Sequence, residues 1–456
     1  MATSSLAKTF GSSGNRRTFT ISIWAKRTVV STAHSSVFSS GVYPSDHMSQ
    51  VFFEDTDILN VSDYNGASLQ WKFETNRVFR DTSGWYHICI AVDTTQVVES
   101  DRFKLYINGV QETSFSTEDY PSLNADCGFN LDQVHSIGVR STAALYFSGS
   151  MSNIAFVDGT ALSPTSFGEV DSTSGIWKFK APSGITWGSN GFWLKGENSG
   201  ALGTDSSGNA NTFTVATGTP TQSIDTPSIV YNNITNLSTY IGSSTAGNGG
   251  NSYNDVTGSG QYTYPHSNIG LQAGKWYAEV KLTSNNTGEN YIMLGIAGRM
   301  PSGSNNYLGQ YADNYVYYAN TGNKYNSGSG TSYGDSFTTG DIIGIAVDCT
   351  NNKIYYSKNG TWQNGGDPTS GASGTGAAYT ITAATSTMAQ CYHFSGHNWS
   401  STSGTTVLDW NFGIGYFGTT AVASAGTSSS GDDSVWEYNC PTGYYGLNTE
   451  NINTYG

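Results

Sequence analysis

Three carboxylates crowd the run Phe53-Glu54-Asp55-Thr56-Asp57. Cleavage of a glycosidic bond needs one carboxyl group as acid and a second as nucleophile or base, so such an array has to be weighed for that chemistry. On a strand, successive side chains point to opposite faces. Glu54 and Asp57 then diverge, Asp55 and Asp57 share a face, and no second glutamate follows. The run reads as an acidic strand edge, and no catalytic residue is expected. Cys391, His393 and His397 carry metal-ligating atoms, and Cys391 and His393 would share a strand face. No fourth ligand is spaced to join them, so no metal is expected. The loop Asp205-Ser206-Ser207-Gly208-Asn209 offers oxygen ligands of the kind calcium takes. It lacks a full acidic set and reads as a turn in which Asp accepts backbone N–H groups. No phosphate-cradling loop and no Ser-His-Asp elbow is present. No cofactor is expected.

The side chains best suited to recognition lie between Ser302 and Gly334. Tyr307, Tyr311, Tyr315, Tyr317, Tyr318, Tyr325 and Tyr333 stand there among Asn, Gly and Ser. Tyrosine presents a flat apolar face and a hydroxyl, a mixture that suits a sugar or a protein surface. Tyr307, Tyr311, Tyr315 and Tyr325 are the candidate binding residues, with Trp362 and Trp399 extending the surface. The alternative for alternating residues such as Tyr315 and Tyr317 is packing on a sheet.

These residues must be positioned by strands. The 456 residues include 55 glycines and 10 prolines, and only 12% are charged. Short apolar runs separated by Gly, Asn, Ser and Thr are the composition of an all-β chain. Phe19-Thr20-Ile21-Ser22-Ile23-Trp24 alternates as a half-buried strand does. His87 to Asp93 and Phe103 to Ile107 form a hairpin pattern closed by Asn108-Gly109. Ile342 to Val347 and Ile354 to Tyr356 repeat it, closed by Asn359-Gly360, and Ile-Ala-Val-Asp occurs in both copies. Asn-Gly tolerates positive φ and closes tight turns. Asp93, Asp341 and Asp348 read as turn acceptors at strand ends. The net charge of −14 argues against nucleic acid or an anionic membrane as partner, since either needs a basic face. The N-terminus carries no apolar core of signal-peptide length, and no window approaches the ~20 apolar residues of a membrane span. Synthesis in a cytoplasm is expected, or removal of a signal. Five cysteines without motif spacing read as reduced core residues.

Two family resemblances follow. Phe19 to Lys26, Gly84 to Asp93, Lys104 to Gly109 and Phe147 to Gly159 resemble the laminin G, concanavalin A-like sandwich family. Gly274-Lys275-Trp276-Tyr277, Leu294-Gly295-Ile296-Ala297, Gly340 to Gly344 and Asn411-Phe412-Gly413 resemble the landmarks of a SPRY domain. The first resemblance implies a fold whose hydrolase members carry a Glu-x-Asp-x-Glu array, which residues 53–57 lack. The second implies partner binding through loops at one end of a sandwich. The expected fold is all-β: two tandem concanavalin A-like β-sandwich (jelly-roll) domains with a short C-terminal tail. The expected divisions are an N-terminal arm at 1–17, the first sandwich at 18–218, the SPRY-like sandwich at 219–425 and an aromatic docking tail at 426–456.

The order of parts, with Asp225-Thr226-Pro227 as linker and Pro441-Thr442-Gly443-Tyr444 in the tail, resembles structural proteins of bacteriophages, particularly marine ones. That resemblance implies a non-enzymatic virion protein assembled in the host cytoplasm, as a tail fibre, appendage or capsid-surface decoration. Its partners would be other virion proteins and a host-surface glycan, with no nucleic acid or membrane, and it would be a homo-oligomer. The alternatives are a polysaccharide-degrading enzyme of the same fold and a secreted bacterial adhesin.

Overall fold

The computed structural model describes residues 3–30, 33–140, 145–172, 174–235, 243–257, 261–299, 306–426 and 431–456. They form two compact units, one of residues 1–222 with 226–228, the other of 223–225 with 229–456. Both are built of mainly antiparallel sheets, and the single α-helix among the described residues is the short Thr449–Tyr455. Among the described residues no helix is long and apolar enough to cross a membrane. The fold is tandem β-sandwiches.

In the first unit an eight-stranded sheet faces a six-stranded one. Strand Thr18–Arg27 shows why they pack. Phe19, Ile21, Ile23 and Ala25 point into the space between the sheets and join Phe38, Val51, Phe73, Ile90, Leu105 and Phe156 in one core. The intervening Thr20, Ser22 and Trp24 are buried as well. A second layer covers them, formed by the segment that carries Gly168–Val170 and Trp177–Phe179. His87 is clamped there between Trp24 and Trp177, with ring centroids at 4.7 and 5.9 Å. The stretch expected as an arm holds strand Ser5–Thr9, paired between Val134–Ile137 and Thr214–Thr217. Its polar residues conceal a full set of ladder hydrogen bonds, which composition alone does not reveal.

In the second unit an eight-stranded and a nine-stranded sheet enclose the core. Trp276, Ala278, Val280 and Leu282 of strand Lys275–Asn285 alternate into it. They meet Ile343, Ile345 and Val347 from one side and Leu294, Ile296, Tyr315, Tyr317 and Phe394 from the other. The two hairpins legible in the sequence form with matching detail. Asn108 and Gly109 have φ of 49° and 79°, and Asn359 and Gly360 have 48° and 79°. In each turn the asparagine Oδ1 also accepts the N–H of the neighbouring strand, at 2.7 Å from His87 and 2.9 Å from Ile342. Asn-Gly therefore both bends the chain and satisfies the first donor beside the bend. Asp348 accepts Asn351 N–H at 2.8 Å, the turn role expected of it.

The outer face of the nine-stranded sheet is not left to solvent. Tyr277, Ala346 and Tyr355 there are covered by Trp436, Cys440 and Tyr444 from the C-terminal tail. Tyr445–Gly446 adds a short parallel strand to Lys275–Asn285. Glu279 ties the layers together. It is wholly buried, and its carboxylate accepts the main-chain N–H groups of Glu437 and Tyr438, both at 2.9 Å. Asn411 Nδ2 and the Tyr277 hydroxyl donate to it at 3.2 and 3.3 Å. Burial pushes its carboxyl up from 4.5 to about 7, against the pull of those donors.

A carboxyl whose folded value lies above its unfolded one holds its proton more tightly in the folded state. Its contribution to stability is full below pH 4.5, declines as pH rises toward 7, and is constant beyond. The stability difference between wild type and Glu279→Gln, followed by denaturant unfolding, is expected to fall across that window by on the order of 3 kcal/mol. A pH-independent difference would contradict the assignment.

Candidate binding surfaces

The acidic run of the first unit turns out to be held by arginines. Asp57 is fully buried at a left-handed position of φ 69°. Its Oδ1 lies 3.0 Å from Nη1 of the equally buried Arg27, and its Oδ2 lies 2.8 Å from Nε of Arg80. The Arg27 guanidinium stands 4.5 Å from the centroid of the Phe53 ring, and desolvation lowers its pKa. Both oxygens of Asp57 are thus occupied, and no substrate could reach them. Glu54 accepts Asn60 Nδ2 at 2.8 Å and lies 3.1 Å from His34 Nδ1. His34, Glu54 and Asp55 place one ligand atom each within 4.8 Å of one another, the one such group of three among the described residues; Asp55 is exposed and the other two half-buried.

The remaining reactive side chains are also engaged in structure. Trp177 Nε1 donates to His87 Nδ1 at 3.0 Å, so His87 Nε2 carries the proton and donates to Ser22 Oγ at 2.8 Å. The imidazole offers Ser22 no base, and burial lowers its pKa to about 3. Cys391 Sγ lies 3.5 Å from His393 Nε2, whose Nδ1 donates to the Ser267 carbonyl at 2.7 Å. Burial raises that thiol's pKa, which disfavours the thiolate. His397 stands apart, buried against Tyr262 and Tyr264 with ring centroids at 5.4 Å. The three do not converge on a metal. Asp205 accepts N–H groups from Trp193, Ser207 and Asn211 at 2.8–2.9 Å, the turn geometry read from the sequence.

The six aromatic candidates divide into three places. Tyr315 is a core residue, 5% exposed, with its hydroxyl accepting Thr382 N–H at 2.9 Å. Alternation along strand Asn314–Tyr318 turns Tyr315 and Tyr317 inward, which removes Tyr315 from the binding set. The same alternation turns Val316 and Tyr318 to the outer face of the eight-stranded sheet, where Met293, Ala297 and Leu308 join them. Tyr307 and Tyr325 sit half-buried over this layer, 6.4 Å apart, and Tyr325 lies 5.4 Å from Tyr318. Trp399 continues it, 5.1 Å from Tyr291 and 6.0 Å from Tyr262. Tyr311 carries the exposed Arg299 guanidinium 4.1 Å from its ring centroid. Trp362 belongs to the other sheet, on its tail-covered side, 6.3 Å from Tyr277 and 6.5 Å from Tyr355. Tyr262, Tyr291 and Arg299 were not among the sequence candidates. The signal that would have found them is strand pairing, which sets Tyr262 opposite Trp399 and Met293 opposite His397.

Both units are β-sandwiches with half-buried aromatic side chains at their surfaces. Residues 3–168 match the concanavalin A-like lectin/glucanases superfamily, and residues 275–395 match the SPRY domain. The chain therefore contains a laminin G-like, concanavalin A-like domain and a SPRY domain. A Ran-binding proteins 9/10 homolog of Drosophila melanogaster is 37% identical over 94 residues, 20% of this chain and 10% of that protein. Ran-binding protein 9 of Danio rerio is 36% identical over 93 residues, 20% of this chain and 15% of that protein. The chain thus spans only a small part of the curated relatives it matches. Among solved structures, the SPRY domain of human HERC1 is 21% identical with a TM-score of 0.25, covering 34% of this chain and 86% of that one. These relatives match a SPRY-sized portion and bear on no virion role.

Asp57→Asn leaves the buried Arg27 without its counter-charge. It is expected to lower stability by about 3 kcal/mol or more in urea unfolding, as loss of one partner of a buried pair does. A loss under about 1 kcal/mol would show that the pair is not structural.

Proposed function

We propose that this chain is a non-catalytic recognition protein, acting through aromatic and amide side chains on its sandwiches. One observation carries the reading. Asp57 and His87 are buried and held by arginines and an indole, whereas Tyr307, Tyr311, Tyr325, Trp362 and Trp399 remain part-exposed. Part-exposed aromatics among Asn, Ser and Gly are the composition of adaptable binding surfaces. A protein partner in general fits the SPRY domain.

Within that reading we place the protein on a bacteriophage particle, as a tail fibre, appendage or capsid decoration. It would bind neighbouring virion proteins or a host-surface glycan and assemble as a homo-oligomer in the host cytoplasm. Support for this finer reading is the resemblance in the order of parts, together with the acidic charge of −14 and its bias against nucleic acid.

The test pairs an activity assay with a location. Incubated with bacterial exopolysaccharide, the purified chain is expected to release no reducing ends. Release that Glu54→Gln abolishes would overturn the non-catalytic reading. Labelled antibody against the chain is expected to decorate intact particles in electron micrographs. Particles free of label, with the chain recovered from the host fraction alone, would overturn the virion placement.

A further inference from the structure

Resting on the recognition reading, we propose that a cleft beside Trp362 is a binding site for a neutral saccharide. The cleft is a shallow one open to solvent, of about 460 Å³, lined by Trp362, by Gly366 to Thr369, and by Asn439 to Thr442 of the tail. That volume lies in the about 300–1,000 Å³ range of small-ligand sites.

Trp362 supplies the platform. It is half-buried, and its ring lies at steep angles to Tyr277 and Tyr355, 59° and 83°. The indole is oriented before any ligand arrives, so little ordering remains to oppose binding. Asp367 supplies a fixed acceptor. Its Oδ1 takes Thr369 N–H at 2.9 Å and the Thr369 hydroxyl at 2.6 Å, while its Oδ2 has no hydrogen bond among the described residues. Pro368 and Pro441 stiffen the two walls. Among the described residues no Lys, Arg or His lines the cleft, so a phosphorylated, sulfated or sialylated ligand finds no counter-charge there and meets Asp367. An uncharged ring with one apolar face and several hydroxyls meets both features: its C–H face stacks on the indole, and its hydroxyls donate to the carboxylate.

One wall comes from outside the residues that match the SPRY domain. Residues 439–442 are placed by the tail, which Glu279 holds at 437 and 438 and which Tyr444 ties to the Pro368 carbonyl through a 3.0 Å hydrogen bond. The cleft therefore exists only with the tail in place.

The full chain is applied to a printed array of neutral and sialylated or sulfated glycans, and hits are titrated by calorimetry. Binding to neutral glycans is expected. Trp362→Ala and Asp367→Ala should each weaken it at least tenfold, and Trp362→Phe should retain part of it. Met388→Ala, at an exposed position away from the cleft, should bind as wild type does. Should Trp362→Ala fail to fold, Asp367→Asn gives the same reading. Preference for acidic glycans, or wild-type affinity in the Trp362 and Asp367 variants, would overturn the site. A chain that binds no glycan but decorates particles overturns the cleft and leaves the recognition reading standing. A chain that binds no glycan and releases reducing ends in a Glu54-dependent way overturns both.

Discussion

Glu279 is a carboxylate buried without a cation beside it. Its donors are two main-chain N–H groups from the tail, one amide and one phenol. An isolated buried charge is strongly disfavoured, and hydrogen bonds to it are worth more than neutral ones because the surroundings are dry. Removing the tail would strip two of those donors and expose Tyr277 and Tyr355 together. The carboxylate and the tail therefore require each other. This mutual requirement turns the outer face of a sheet into a second core and puts residues 439–442 beside Trp362.

The same logic runs through the first unit. Its six-stranded sheet is also buried on both faces, with His87 between two indoles on the outer one. Groups that could titrate or attack are neutralised by packing: Asp57 by Arg27 and Arg80, His87 by desolvation, Cys391 by partial burial beside a neutral imidazole. Beside these, the fold leaves aromatic and amide side chains part-exposed, with Asp367 next to Trp362. Function in this chain follows from which side chains the fold leaves uncovered.

The sequence shows clearly those features that depend on local rules. Alternation at Phe19 to Trp24 and the two Asn-Gly turns translate directly into strands and hairpins, because period two and positive φ are properties of a few adjacent residues. Ser5–Thr9 is concealed because a short, mostly polar strand can pair on both sides without a marked apolar alternation. Seven tyrosines in one stretch blur the inward and outward sets and leave Tyr315 open between binding and packing; pairing with Met293–Ala297 separates them. Trp362 was grouped with Trp399 because both stand in Gly, Asn and Ser, yet they lie on different sheets. The Trp and Tyr content of residues 426–456 marks a docking tail, whereas the face it covers is set by long-range contacts that a one-dimensional pattern does not carry.

The central claim is that this protein holds ligands on aromatic surface and cleaves none. A crystal structure of the full chain soaked with a neutral oligosaccharide tests it most directly. The account predicts an intact sugar stacked on Trp362, within reach of Asp367, with residues 439–442 closing the far side. A sugar bound instead against Glu54 and Asp55, with its glycosidic bond broken, would contradict it.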